Sequence, residues 1–179
     1  MIVGVVALLL VLAVPLTGGS FQRLGEISVR AWGLLPIALL LQVLLFSVLS
    51  DVPAWLGFPV HLLTYGLAAV FLWRNRAVRG VPLIALGAAL NGVTIALNQG
   101  TLPASEWAVR TAGLPADEGF SNSGVLEHPI LPWLGDIFAI PEGLPFANVF
   151  SVGDILVLAG VAVLVLANSH SKEPETAQA

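Results

Sequence analysis

Apolar runs that approach the thickness of a bilayer recur five times along this chain, and few soluble folds would accommodate them. They cover residues 2–17, 31–50, 58–73, 81–98 and 150–168. A membrane-spanning helix takes about 20 mostly apolar residues, within a range of roughly 17–25. The first and third runs are therefore short and suit a thin bilayer crossed with little tilt. Composition agrees, since 57% of the 179 residues are hydrophobic and 10% are charged. A soluble domain carries about 25% charged residues, and so sparse a set cannot clothe a water-facing surface. The sequence predicts an all-α integral membrane fold: a bundle of about five transmembrane helices with an interfacial helix and a structured outer loop.

The interfacial helix is expected within residues 21–30, where Phe21, Leu24 and Ile27 recur every three positions among polar neighbours. The first run reads as a retained helix and not a signal peptide. No basic residue precedes it, and Gly18-Gly19-Ser20 stands where a small-residue cleavage motif would be. Orientation follows from the basic side chains, which concentrate on the cytoplasmic side. Arg23, Arg30, Arg74, Arg76, Arg79 and Lys172 fall on one side, and Arg110 alone on the other. That bias predicts a multi-pass plasma-membrane protein, N-out and C-in. Trp32 and Trp73 then mark the cytoplasmic interface and Trp55 the outer one.

A single membrane domain is expected over residues 1–168, with an outer loop at 99–149 and a disordered cytoplasmic tail at 169–179. Within the loop, residues 117–123 are polar and turn-rich. Residues 128–146 are apolar but interrupted by Pro129, Pro132, Pro141 and Pro145. No helix of spanning length survives that many prolines. This stretch is expected to pack back on the bundle as a short interfacial or re-entrant element, because irregular backbone at membrane depth needs protein or water beside it.

Several function classes fall away. A net charge of −4 with no basic stripe argues against nucleic acid. The absence of cysteine removes disulfides, thiol nucleophiles and thiolate metal sites. Phosphate-loop, dinucleotide-binding, zinc-protease and serine-hydrolase motifs are missing. His61, His128 and His170 are scattered, so no metal site is expected, and no cofactor is indicated. The expected partners are the lipid bilayer and a membrane-protein partner or second copy.

Polar residues inside spans are costly, so each calls for a reason. At 100° per residue, Gly80, Gly87, Asn91, Thr94 and Asn98 lie within about 60° of one another on the fourth run. That stripe is either a ligand-contacting wall or a helix–helix contact. His61, Thr64, Tyr65 and Ala68 share a face of the third run, and Gln42, mid-span in the second, suits an interhelical hydrogen bond. Asp154 stands in the first turn of the fifth run, where the helix dipole favours an acid and where a carboxylate can also hold a cation or proton. Leu134-Gly135-Asp136-Ile137 parallels Val152-Gly153-Asp154-Ile155. Both tetrapeptides suit the start of a short helix, with Gly for the turn and Asp as cap. The candidate ligand-binding residues are therefore Asn91, Asn98, Asp154, His61, Tyr65 and Asp136. If their faces converge, they form a polar cavity open to the outside, lidded by residues 128–146.

Gly18-Gly19, the stretch NGVTIALNQGTLP at 91–103 and the stretch LGDIFAIPEGLPFANVFSVGDILVLAG at 134–160 together resemble an uncharacterised family of small bacterial integral membrane proteins. Gln99 and Thr101 depart from the glycine and bulkier residue expected there. The resemblance implies a bacterial plasma membrane and a shared architecture, and carries no activity, substrate or catalytic residue. Three readings follow: a protein that binds or helps to move a small polar or amphiphilic molecule at the outer leaflet; an accessory subunit whose polar stripes are helix contacts; or an extracytoplasmic membrane enzyme using Asp136, Asp154, Glu127 or His128.

Overall fold

The computed structural model describes residues 2–45, 53–114 and 123–170. The expected end of the second span at 46–50, the polar stretch at 117–122 and the tail at 171–179 lie outside the described residues. Seven helices are described: α1 Ile2–Leu12, α2 Phe21–Gly25, α3 Leu34–Val43, α4 Ala54–Arg74, α5 Val81–Leu97, α6 Glu106–Thr111 and α7 Val152–Ser169. Four short strands lie between α5 and α7: β1 Leu102–Pro103, β2 Ser123–Gly124, β3 Phe138–Ile140 and β4 Asn148–Phe150.

Two of these helices, over Trp55–Arg74 and Val152–Ser169, are long and apolar enough to cross a membrane. Five spanning helices are not supported. The helix of the first run stops at Leu12, before a 3-10 turn that Pro15 opens and Gly18 closes at φ +78°. Pro15 cannot donate to a continuing helix, which fixes that boundary. The fourth run yields a helix of 17 residues, and the second one of 10 within the described residues. Within residues 21–30, where an interfacial helix is expected, the chain forms one five-residue helix, α2. Ser169, expected in the tail, ends α7 and is fully buried.

The all-α expectation also needs correction, because the segment between α5 and α7 contains strands. β1 pairs in parallel with β2, and Ala104 just beyond it bridges Asp136. β3 and β4 form an antiparallel hairpin with Phe138 opposite Phe150, their rings stacked at 5.3 Å. Extended pairing is what remains for an apolar segment whose prolines forbid helix, since its backbone groups must still find partners.

The tightest packing is between α5 and α7, which run antiparallel. A Cβ on Gly80 would meet Gly160 and Leu164, and one on Gly87 would meet Gly153 and Val157. Each helix thus offers two glycines seven residues apart to the other, letting the backbones touch. Gly80 has a second reason to be glycine, because its φ is +92° at the turn into α5. α3 packs on α4 through the Gln42 Nε2 to Thr64 Oγ1 bond of 3.1 Å, the role its mid-span position predicts. The N-terminal segment is tied to the end of α7, where the Ser20 N–H donates to the Ser169 carbonyl at 3.1 Å.

Three apolar helices end in the same way. Near the ends of α4, α5 and α7 stand Asn75, Asn98 and Asn168. Each donates its amide to the carbonyl four residues back, at 2.8, 2.7 and 2.6 Å. Each also reaches a distant carbonyl, of Arg30, Ile130 and Arg79 respectively. Asn75 and Asn98 accept in return from the N–H of Arg30 and Ile130, both at 2.8 Å. A side-chain amide that both donates and accepts mimics one rung of a β-ladder, so it satisfies helix-end carbonyls and pins a loop together.

Candidate functional site

The polar stripe of α5 faces α7. Asn91 Nδ2 donates to Asp154 Oδ1 at 3.1 Å, and Asn91 Oδ1 accepts from the Ser151 hydroxyl at 2.9 Å. Ser151 is the N-cap of α7: its Oγ accepts from the Asp154 N–H at 3.1 Å, and Asp154 Oδ2 accepts from the Ser151 N–H at 2.9 Å. This reciprocal capping box satisfies two donors at the helix start. Asp154 is therefore the third helical residue and not the cap, and Ser151, which sequence reasoning missed, takes that place. The signal was present, since Ser151 precedes an apolar run and an acid follows three positions later. Gly153 is held to hydrogen by the same ring, because a Cβ there would strike Asn91 Oδ1.

Asn98 follows Asn91 by about two helical turns and is engaged with Ile130 on both of its amide atoms. His61 is fully buried on α4, with Nδ1 3.0 Å from the Gly100 carbonyl and its ring 5.3 Å from that of Tyr65. Taking Nδ1 as the protonated nitrogen, His61 donates to that carbonyl and fastens α4 to the turn after α5.

Asp136 is the outlier. The expected helix start at Gly135-Asp136 is absent: Gly135 is extended, and Asp136 lies on the bridge to Ala104. Its N–H donates to the Pro103 carbonyl at 2.8 Å, and its carbonyl accepts from Ser105 at 3.0 Å. Gly135 must lack a side chain because a Cβ would collide with the Pro103 carbonyl. This pairing presses the Asp136 side chain inward, leaving 4% of the residue exposed. Oδ2 accepts a short hydrogen bond from the Ser123 hydroxyl, whereas Oδ1 is buried without a hydrogen-bond partner among the described residues. Burial pushes the carboxyl up to about 6, the Ser123 bond opposes the rise, and the Asp154 charge adds to it. No basic side chain is among these influences. Tyr65 lies within electrostatic reach of both Asp154 and Asp136.

Five of the six candidate residues thus form one connected cluster: Asp136, Asp154, Asn91, Tyr65 and, against the Tyr65 ring, His61. Asn98 faces the loop instead. Among the described residues, no group of three or more His, Cys, Asp or Glu is placed to hold a metal ion.

Helices and site together define a mostly helical protein with two helices able to cross a membrane and a strand-containing segment folded over one end. The chain belongs to DUF5317, a family of unknown function whose model matches residues 26–166. It is similar to an uncharacterized protein of Thermotoga maritima, 32% identical over 157 residues that cover 87% of this chain and 85% of that protein. No solved structure matches it. The expected family of unknown function is thereby found, and its description says nothing about membranes.

Proposed function

We propose that this chain is a multi-pass plasma-membrane protein, N-out and C-in, that binds a small polar or amphiphilic molecule carrying a cationic group at the outer leaflet. The observation that carries this reading is the buried, unpartnered Oδ1 of Asp136 beside a second carboxylate, Asp154. A buried charge without a partner is expensive, and intramembrane or bilayer-edge carboxylates commonly mark ion or substrate sites. A cationic group would supply what Oδ1 lacks, with Tyr65 contributing an aromatic face. The membrane setting is supported by Leu8, Leu39, Leu40, Leu63 and Val93, each more than half exposed on apolar helices. A bilayer would cover them.

The test is mass spectrometry of intact protein, gently extracted, with Asp136→Asn beside it. The expected result is a retained amine-bearing molecule in the wild type that is lost from the variant, whose melting midpoint at pH 7 does not fall. Retention by Asp136→Asn, or no stabilisation by any of a panel of primary and quaternary amines, would overturn the reading. A second reading, an accessory subunit, is favoured by one observation: the amides of Asn91 and Asn98 are spent on internal contacts. It predicts a stoichiometric protein partner and no small molecule.

A further inference from the structure

Small residues line two helix contacts in this molecule, and they serve opposite ends. Between α5 and α7 every facing glycine meets neighbouring backbone. Between α4 and α5 Gly66 and Gly92 meet no neighbouring backbone. A Cβ added to Gly66 would meet nothing within 4 Å, and one on Gly92 would meet only the Tyr65 ring. The space left is a groove of about 790 Å³, within the roughly 300–1,000 Å³ of small-molecule sites. Ala69, Ala85 and Ala89 form its apolar floor, Tyr65 closes one end, and Trp73 and Arg76 stand at the other.

Charge distinguishes that second end. The connection from α4 to α5 holds Arg76 and Arg79, Arg74 ends α4, and no acid lies between residues 74 and 80. The Arg76 guanidinium lies 4.3 Å over the Trp73 ring and spends one nitrogen, Nη1, on the Trp73 carbonyl at 2.9 Å. A guanidinium has five N–H donors in a fork suited to phosphate oxygens. An apolar trough with a basic, indole-flanked mouth matches one occupant in chemistry: a lipid with hydrocarbon chains and an anionic phosphate.

We propose that the groove between α4 and α5 binds an anionic phospholipid, its chain along Ala69, Ala85 and Ala89 and its phosphate at Arg76. The site is separate from Asp136 but rests on the same membrane setting. The experiment titrates detergent-purified full-length protein with dioleoylphosphatidylglycerol or dioleoylphosphatidylcholine and counts bound lipid by mass spectrometry of the intact complex. The glycerol lipid is expected to bind several-fold more tightly. Arg76→Gln is expected to lose about fivefold for it, the weight of one basic side chain near a membrane surface, and less for the choline lipid, whose own ammonium offsets its phosphate charge. Ala89→Phe, which fills the floor, is expected to lose both lipids. Ala69→Phe repeats that test from the other helix should the first variant fold poorly.

Equal affinity for the two lipids, or unchanged binding by both filled variants, would overturn the proposal. So would a second copy or partner chain that is released by Ala89→Phe. Cysteine labelling of Ala77 and Glu142 from the two sides of the membrane reports on the membrane setting separately, so a failed groove and a failed setting are told apart.

Discussion

Asp136 carries a charge where the fold offers it little solvation, and that has a sign in pH. Its carboxyl titrates at about 6 in the folded chain against the usual 3.8. The folded state keeps the proton over a range in which the unfolded chain has lost it, so stability is fullest below about 4 and falls as pH rises through about 6. At about 1.4 kcal/mol per pH unit, the loss across that window is about 3 kcal/mol. Asp136→Asn, always neutral, is expected to flatten the dependence and to raise the melting midpoint at pH 7 while matching the wild type near pH 4. A midpoint at pH 7 below that of the wild type would show that the ionised form is itself a structural partner. The asparagines at the helix ends act through the backbone instead. Replacing Asn75 by Leu strands the N–H and carbonyl of Arg30, at a cost of about 1–3 kcal/mol. Hydrogen exchange at the Arg30 amide should quicken, and unaltered protection there would refute the pinning role.

For the elements, the α5–α7 contact and the α4–α5 groove make opposite predictions for the same substitution. Gly153→Ala drives a methyl into Asn91 and Gly87 and is expected to cost about 1–3 kcal/mol by overpacking. Gly66→Ala enters open space and should be neutral or slightly stabilising, through helix propensity. Equal melting midpoints in detergent for the two variants would refute the distinction. The sequence contained half of this contact. Periodicity put Gly80, Gly87 and Asn91 on one face, but nothing in it could say that Gly153 and Gly160 were the surface opposite, because helix rotation is settled only by the partner. The outer segment was legible in the negative. Prolines ruled out a long helix, but the pairing of Pro103 with Asp136 joins residues far apart in sequence, and no local pattern announces it. The likeness of the Asp136 tetrapeptide to that of Asp154 is local only: Asp154 is the third residue of α7 and closes its capping box with Ser151, whereas Asp136 is buried beside a strand. Asn75 was overlooked because it reads as an ordinary polar residue after a helix.

Taken whole, the molecule gathers its arginine-rich connection at one end and its strand-containing segment at the other. Because the chain has no cysteine, single substitutions report on each end without background. Glu142→Cys should react with an impermeant maleimide on intact cells, and Ala77→Cys only after the membrane is opened. The reverse pattern, or labelling of both from outside, would refute the N-out, C-in orientation. The shortness of α5 has a consequence for the bilayer itself. Seventeen residues at about 1.5 Å each reach about 26 Å, less than a hydrocarbon core of about 30 Å. In the proposed multi-pass arrangement, where α5 crosses the bilayer, leaflets meeting it would pinch inward, and two pinched rims cost less when they merge. Copies of the protein should therefore drift together in thick membranes with no adhesive surface between them, visible as energy transfer between labelled copies that rises as lipid chains are lengthened and that stays flat if the bilayer is undisturbed.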